Sequence, residues 1–406
     1  MSATPGRLRS NRDYVRWWAG NFASSVGNQF VLVAMPLMVL LLTGSPFQAG
    51  LVASCEALPY IILSLPVGVM VDQLRRRSLL LASGVVSLVA LASVPIAYAA
   101  GGLTPGQLYA VAFVNGCASV VFAVAQQAAL PTLVHPSHLG TATGQAETVE
   151  RLAAILGPPA AAALFQAVWP ALPFLVYAVS FGFIVLVLGA IRADMGPSGQ
   201  QAPVPKSDLL RGARSLFGNP LLRDLTLLNS AGDLLFAGIG LLMIMLIRDS
   251  GQPVVGVGLV FSLAAVGGLI GSLVANRLET RLGVATAVIG KHVLTALLFP
   301  ILLLDLPAVG VGGLWALISF QVSIVGVIQR KHVLLATPDN LMGRVQSFTT
   351  FLSFGSLPIG TAATGFVLSV AGAHGAVVVY TVVLVLLAVF SVASRPIRTA
   401  TARSGR

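Results

Sequence analysis

Four acidic side chains and one basic one stand inside long apolar runs: Glu56, Glu147, Glu150, Asp233 and Arg151. A carboxyl held away from water is more readily protonated near neutral pH, so Glu56, Glu150 and Asp233 are candidates to take up and release a proton. Glu147 and Arg151 lie one helical turn apart on one face, where a structural ion pair is available, and Glu150 is then left over to titrate. The amides of Asn28, Asn115 and Gln321 also interrupt apolar runs. Such amides either orient a ligand in an apolar pocket or hydrogen-bond one helix to another. Lys291 is expected to snorkel to an interface, and His292 to make a structural hydrogen bond. His135, His138, His332 and His374 have no metal spacing, and neither a metal nor a cofactor is implied. Cys55 and Cys117 lie in apolar runs, so no disulfide framework is expected.

The elements that must carry these residues follow from composition. Of the 406 residues, 56% are hydrophobic and 9% charged, against about 25% charged in soluble domains. Apolar stretches of membrane-crossing length recur from end to end, and no strand-like alternation is present. The fold class is an all-α polytopic membrane protein. Gly, Pro and charge punctuate twelve expected transmembrane helices, near 14–42, 46–71, 78–99, 105–130, 139–165, 171–192, 221–247, 253–276, 283–304, 308–331, 342–369 and 374–394. Residues 1–192 form an N-terminal six-helix bundle, 193–218 a polar cytoplasmic linker, and 219–406 a C-terminal six-helix bundle.

The net charge of +11 reports topology rather than a nucleic-acid partner. Arg7, Arg9, Arg12, Arg16, Arg75–Arg77, the middle linker, Arg277, Arg281, Arg330, Lys331, Arg344 and the C-terminal arginines fall on one side. The alternate connections near 43–47, 100–106, 166–173 and 370–375 carry no Lys or Arg, and Arg248 is the exception. This positive-inside pattern implies that both termini are cytoplasmic. The first apolar run continues to Leu42 without a small-residue cleavage site, so a retained first helix is expected.

The turn between the second and third spans is Gly68-Val-Met-Val-Asp72-Gln-Leu-Arg75-Arg76-Arg77. Ionised groups are costly in hydrocarbon, so this segment must sit at a membrane surface. A weaker copy, Asn276-Arg277 with Arg281, returns half a chain later, and Gly27-Asn28 is matched by Gly232-Asp233 at an offset near 205. Internal symmetry in a polytopic membrane protein marks a secondary transporter, in which two bundles alternate access to a midplane site.

With Gly68-x3-Asp72-x3-Arg76-Arg77, the chain resembles the major facilitator superfamily over essentially its whole length, although Gln73 and Arg75 replace the usual Arg and Gly. Leu42-Thr-Gly-Ser-Pro46, Ala57-Leu-Pro59, Leu130-Pro131, Gly157-Pro158, Gly343-Arg344-Val-Gln-Ser and Leu357-Pro-Ile-Gly360 are similar to its branch of bacterial drug and siderophore exporters, which includes the enterobactin exporters. The resemblance implies that Gly68, Asp72, Arg76 and Arg77, with Asn276 and Arg281 as the echo, form a conformational latch. It also implies that spans one, four, seven and ten line a central cavity, which makes Asn28, Asn115, Asp233 and Gln321 substrate-cavity candidates. Gly157-Pro158 matches the core of the superfamily's antiporter signature, although Ala161 and Ala162 stand where its later glycines would be. The Arg typical of span four in proton-coupled members is absent; that span offers Asn115, Gln126 and Gln127. The coupling proton is left among Asp233, Glu150 and Glu56.

Other classes lack their chemistry here. No G-x4-G-K-[S/T] phosphate loop supports an ATP-driven pump, and the 13 acids form no D-D-x-x-D cluster for a membrane-embedded enzyme. A twofold repeat in one long chain argues against a pore. Only Lys206, Lys291 and Lys331 among the 24 basic residues are lysines, and Ala and Gly are plentiful, which points to a GC-rich bacterial genome. The expected function is proton-coupled efflux of a small amphipathic organic molecule from a monomer in the bacterial inner membrane. An uptake symporter or a transporter-like sensor is the alternative.

Overall fold

The computed structural model describes residues 11–191, 216–279, 282–336 and 339–399, with Leu8 and Gly196 beside them. Inside the helices, the side chains of residues 64, 65, 69, 72, 276, 279, 331, 333–336 and 339–347 lie outside the description. The chain divides into two compact units, Met1–Pro203 and Val204–Arg406. Most of the expected linker at 193–218 lies outside the described residues. No strand occurs among those that are described.

The first unit contains α1 (Arg12–Thr43), α2 (Pro46–Gln73), α3 (Arg76–Ala99), α4 (Pro105–Leu133), α5 (Leu139–Ala167) and α6 (Leu172–Gly189). The second contains α7 (Pro220–Phe236), α8 (Ile239–Asp249), α9 (Val255–Glu279), α10 (Val284–Leu298), α11 (Ala308–Ala336), α12 (Asp339–Ala393) and α13 (Arg395–Thr399). A 3-10 turn at Phe299–Leu303 extends α10.

The helices begin where backbone chemistry tells them to. Ser45, Thr104 and Asn219 each accept a backbone N–H of the following turn, and each is followed by a proline whose missing N–H costs nothing there. Gly44, at φ 65, ends α1 by donating to the Leu40 carbonyl, a left-handed conformation that glycine adopts without strain.

Among the described residues, ten helical stretches are long and apolar enough to cross a membrane. The last of these, Phe348–Ala393, is double, because Gly372 at φ 69 breaks α12 between the expected eleventh and twelfth spans. Helix α5 is the remaining crossing; its Glu147, Glu150 and Arg151 keep its hydropathy low. The seventh crossing departs from the continuous helix expected over 221–247. It breaks between α7 and α8, where a Cβ on Gly238 would overlap the Thr364 side chain of α12.

The internal packing of the two units repeats. In the first, α1 lies against α5, and α2 against α4. Gly157 of α5 abuts Gln29 of α1, and Gly116 of α4 abuts the Glu56 backbone of α2. In the second unit α7 lies against α12 and α9 against α11. Gly360 of α12 abuts the Leu234 backbone of α7, while Gly267 and Gly271 of α9 abut the Ala316 and Phe320 backbones of α11. Without a hydrophobic force between helices in lipid, such small residues supply the close van der Waals contact. The same helix pairs therefore meet in each unit, at nearly the offset read from the sequence.

Candidate functional site

The structure gathers polar side chains from four helices at the core of the first unit. Asn115 of α4, 1% exposed, donates through Nδ2 to Oε1 of Glu56 on α2 at 3.2 Å. The Tyr177 hydroxyl of α6, which is fully buried, donates to Oδ1 of Asn28 on α1 at 2.9 Å and lies 3.5 Å from Oδ1 of Asn115. Asn28 itself is exposed, so the set runs from a buried centre to an accessible side chain. Gly27 makes this possible: a Cβ there would collide with the Tyr177 ring. Pro59, one turn beyond Glu56, packs near Gly116 and leaves a backbone carbonyl of α2 without its usual donor.

Glu56 was alone in sequence, and its partners come from spans far away along the chain. Tyr177 was not among the expected residues. Its one signal was a hydroxyl within an apolar run, because a buried tyrosine seeks a hydrogen-bond partner. Two further links join α1 to its neighbours. Gln126 of α4 donates to Asn21 of α1 at 2.7 Å, and the Tyr14 hydroxyl of α1 donates to Gln145 of α5 at 2.7 Å.

The second unit holds a looser arrangement. Oδ2 of Asp233 on α7 accepts from the Ser353 hydroxyl of α12 at 2.6 Å, and Lys291 of α10 interacts electrostatically with Asp233. Lys291, expected to reach an interface, is half-buried. Gln321 of α11, 8% exposed, donates to Thr295 of α10 at 2.8 Å, while its Oε1 has no partner among the described residues. His292 donates through Nδ1 to the Val288 carbonyl at 2.8 Å.

On α5, Glu147, Glu150 and Arg151 are all exposed. Among the described residues no ion pair within 4.0 Å joins Glu147 to Arg151, and both act electrostatically on Glu150. Further along the same helix, Gly157 and Pro158 are buried.

The latch residues fall partly outside the described set: the side chains of Asp72 and Asn276, and the whole of Arg281. A Cβ on Gly68 would meet nothing within 4 Å. Arg76 is buried, and its Nε has no partner among the described residues. Arg77 turns into its own unit and donates to the Gly189 carbonyl at the end of α6, where Arg16 also donates to the Ala190 carbonyl at 2.8 Å. Two guanidinium groups thus sit at the negative end of the α6 dipole. Among the described residues, no three His, Cys, Asp or Glu side chains gather to hold a metal ion.

Comparison with known proteins agrees with this architecture. Residues 17–361 match the Major Facilitator Superfamily. The chain is 25% identical over 384 residues to the multidrug efflux pump Tap of Mycolicibacterium fortuitum, covering 91% of this chain and 92% of that protein. It is 26% identical over 367 residues to Tap of Mycobacterium tuberculosis, covering 86% of each. A crystal structure of a variant of the nucleoside transporter NupG has the same fold, with a TM-score of 0.80 at 14% identity, over 94% of this chain and all of that one. This chain therefore belongs to the Major Facilitator Superfamily, as a multi-pass membrane transporter of small molecules rather than an enzyme.

Proposed function

We propose that this protein is a secondary active exporter, exchanging protons for a small amphipathic organic molecule such as an antibiotic or siderophore. It acts as a monomer in the bacterial cytoplasmic membrane, with both termini on the cytoplasmic side. The observation that carries the reading is the end-to-end correspondence with relatives named as multidrug efflux pumps, over 91% of this chain and 92% of the first.

Geometry supports the coupling. A carboxyl inside a membrane bundle is costly to keep, and Glu56 is held there by an amide hydrogen bond. Asp233, which interacts electrostatically with Lys291, is the second candidate, and Glu150 the third. Asn28, Asn115, Gln321 and Asp233 supply the polar positions that orient a ligand, Asn28 being the accessible amide of the set. Gly68, Asp72 and Arg76 serve as the latch that biases alternating access, with Arg77 anchoring the turn to α6 and Asn276 and Arg281 as its counterpart.

Accumulation of fluorescent drugs and antibiotics in an efflux-deficient bacterial host tests the reading. Expression should lower accumulation, and a protonophore should restore it. Raised accumulation would mean uptake, and no change for any compound would leave a transporter-like sensor.

A further inference from the structure

We propose that Tyr177 is a positioning residue whose hydroxyl reports the proton state of Glu56 to Asn28. The inference rests on the reading of Glu56 as a proton carrier and says how its charge state is felt elsewhere in the first unit.

The argument is a count of hydrogens. The Tyr177 oxygen lies 2.9 Å from Oδ1 of Asn28 and 3.5 Å from Oδ1 of Asn115. Both of those atoms are acceptors, and the hydroxyl has one hydrogen to give. Asn115 directs Nδ2 at Glu56, so its Oδ1 is left toward Tyr177 and competes with Asn28 for that hydrogen. This arrangement suits an ionised Glu56, which only accepts.

A protonated Glu56 brings a hydrogen of its own. Turning over the Asn115 amide satisfies it: the Glu56 O–H donates to Oδ1, and Nδ2 donates to the Tyr177 oxygen. Tyr177 is then free of competition from Asn115 when it donates to Asn28, and all three bonds point one way. Protonation therefore tightens the grip on Asn28, and ionisation loosens it. No covalent bond changes apart from the proton taken up or released at the carboxyl.

The ring cannot retreat from this role. It fills the space that a Cβ on Gly27 would occupy and packs on Phe181 at 4.8 Å between centroids. The titratable groups facing Glu56 are Tyr60 on its own helix and Tyr177 on α6; on α1 and α4 the network presents the amides Asn28 and Asn115. Ser119, one turn from Asn115 on α4, also faces the Tyr177 hydroxyl.

The test labels Glu56 with dicyclohexylcarbodiimide, which reacts with protonated carboxyls in apolar surroundings. Purified full-length protein is labelled from acid to alkaline pH and read at Glu56 by mass spectrometry. Tyr177→Phe keeps the ring and removes the hydroxyl; Asn28→Ala removes only the far acceptor. Each variant should fold, as judged by its melting temperature, and displace the labelling midpoint by ~0.5 pH unit or more, well within the spread seen for carboxyls in proteins. Curves that coincide with the unsubstituted protein overturn the proposal, as does an absence of labelling at Glu56 at every pH. Labelling needs no exported compound, so drug export can fail while the relay stands, and the relay can fail while export stands.

Discussion

The Asn115 amide of α4 donates to the Glu56 carboxyl of α2 at 3.2 Å, so an acid that looked solitary is one half of a link between two helices. Asn115 is 1% exposed, and loss of its acceptor would leave a buried N–H unsatisfied. Glu56→Ala should cost about 1–3 kcal/mol for that reason. Glu56→Gln keeps an oxygen acceptor and should melt close to the unsubstituted protein. Both should lose protonophore-sensitive efflux. Full efflux by Glu56→Gln would remove Glu56 as the proton carrier.

Glycines offer a contrast between contact and open space. Gly360 abuts the Leu234 backbone and Ala237, whereas a Cβ on Gly232 would meet nothing within 4 Å. Gly360→Ala should destabilise by about 1–3 kcal/mol through overpacking. Gly232→Ala should leave the melting temperature unchanged or raise it slightly, since alanine is the better helix former by roughly 0.5–1 kcal/mol. Thermal unfolding of the two variants in detergent checks the difference.

Two aspartates near helix starts should contribute unequally. Asp224, 4% exposed, accepts from Arg223 at 3.0 Å and from the Ser394 hydroxyl at 2.7 Å, tying α7 to the segment before α13. Asp13 pairs with Arg16 at 3.0 Å on a partly exposed face. Asp224→Ala should cost about 1–3 kcal/mol, and Asp13→Ala less than about 1 kcal/mol. Added salt should weaken the second contribution more than the first, since Asp224 is the more buried acid. Equal losses in the two variants would contradict the assignment.

Adjacent arginines of the α2–α3 turn divide in the same way. Arg77 reaches the Gly189 carbonyl at the end of α6, while Arg75 is exposed. Arg77→Ala should lower both the melting temperature and the yield of folded protein, and Arg75→Ala should do neither. Size-exclusion profiles and melts of the two variants decide between them.

Much of this architecture was legible in the residue order. Hydropathy, Ser-Pro and Thr-Pro helix starts and the alternation of arginine are local or additive signals, and they survive without knowledge of packing. The break at Gly372 was readable for the same reason. The break at Gly238 was not, because it arises where Thr364, distant in sequence, occupies the space beside that glycine. Tyr177 escaped notice on the same grounds: nothing near it in the chain marks its hydroxyl as the meeting point of Asn28 and Asn115.

The sequence by itself determined that the chain is a series of membrane-crossing helices in two related halves, since burial of apolar surface in lipid depends on composition along each span. Only the tertiary structure decided which polar groups meet. Glu56 with Asn115, Asn28 with Tyr177, and Arg77 with the end of α6 are pairings between helices. They depend on helix rotation and on how closely glycines let the backbones approach, and neither is encoded in the periodicity of any single span.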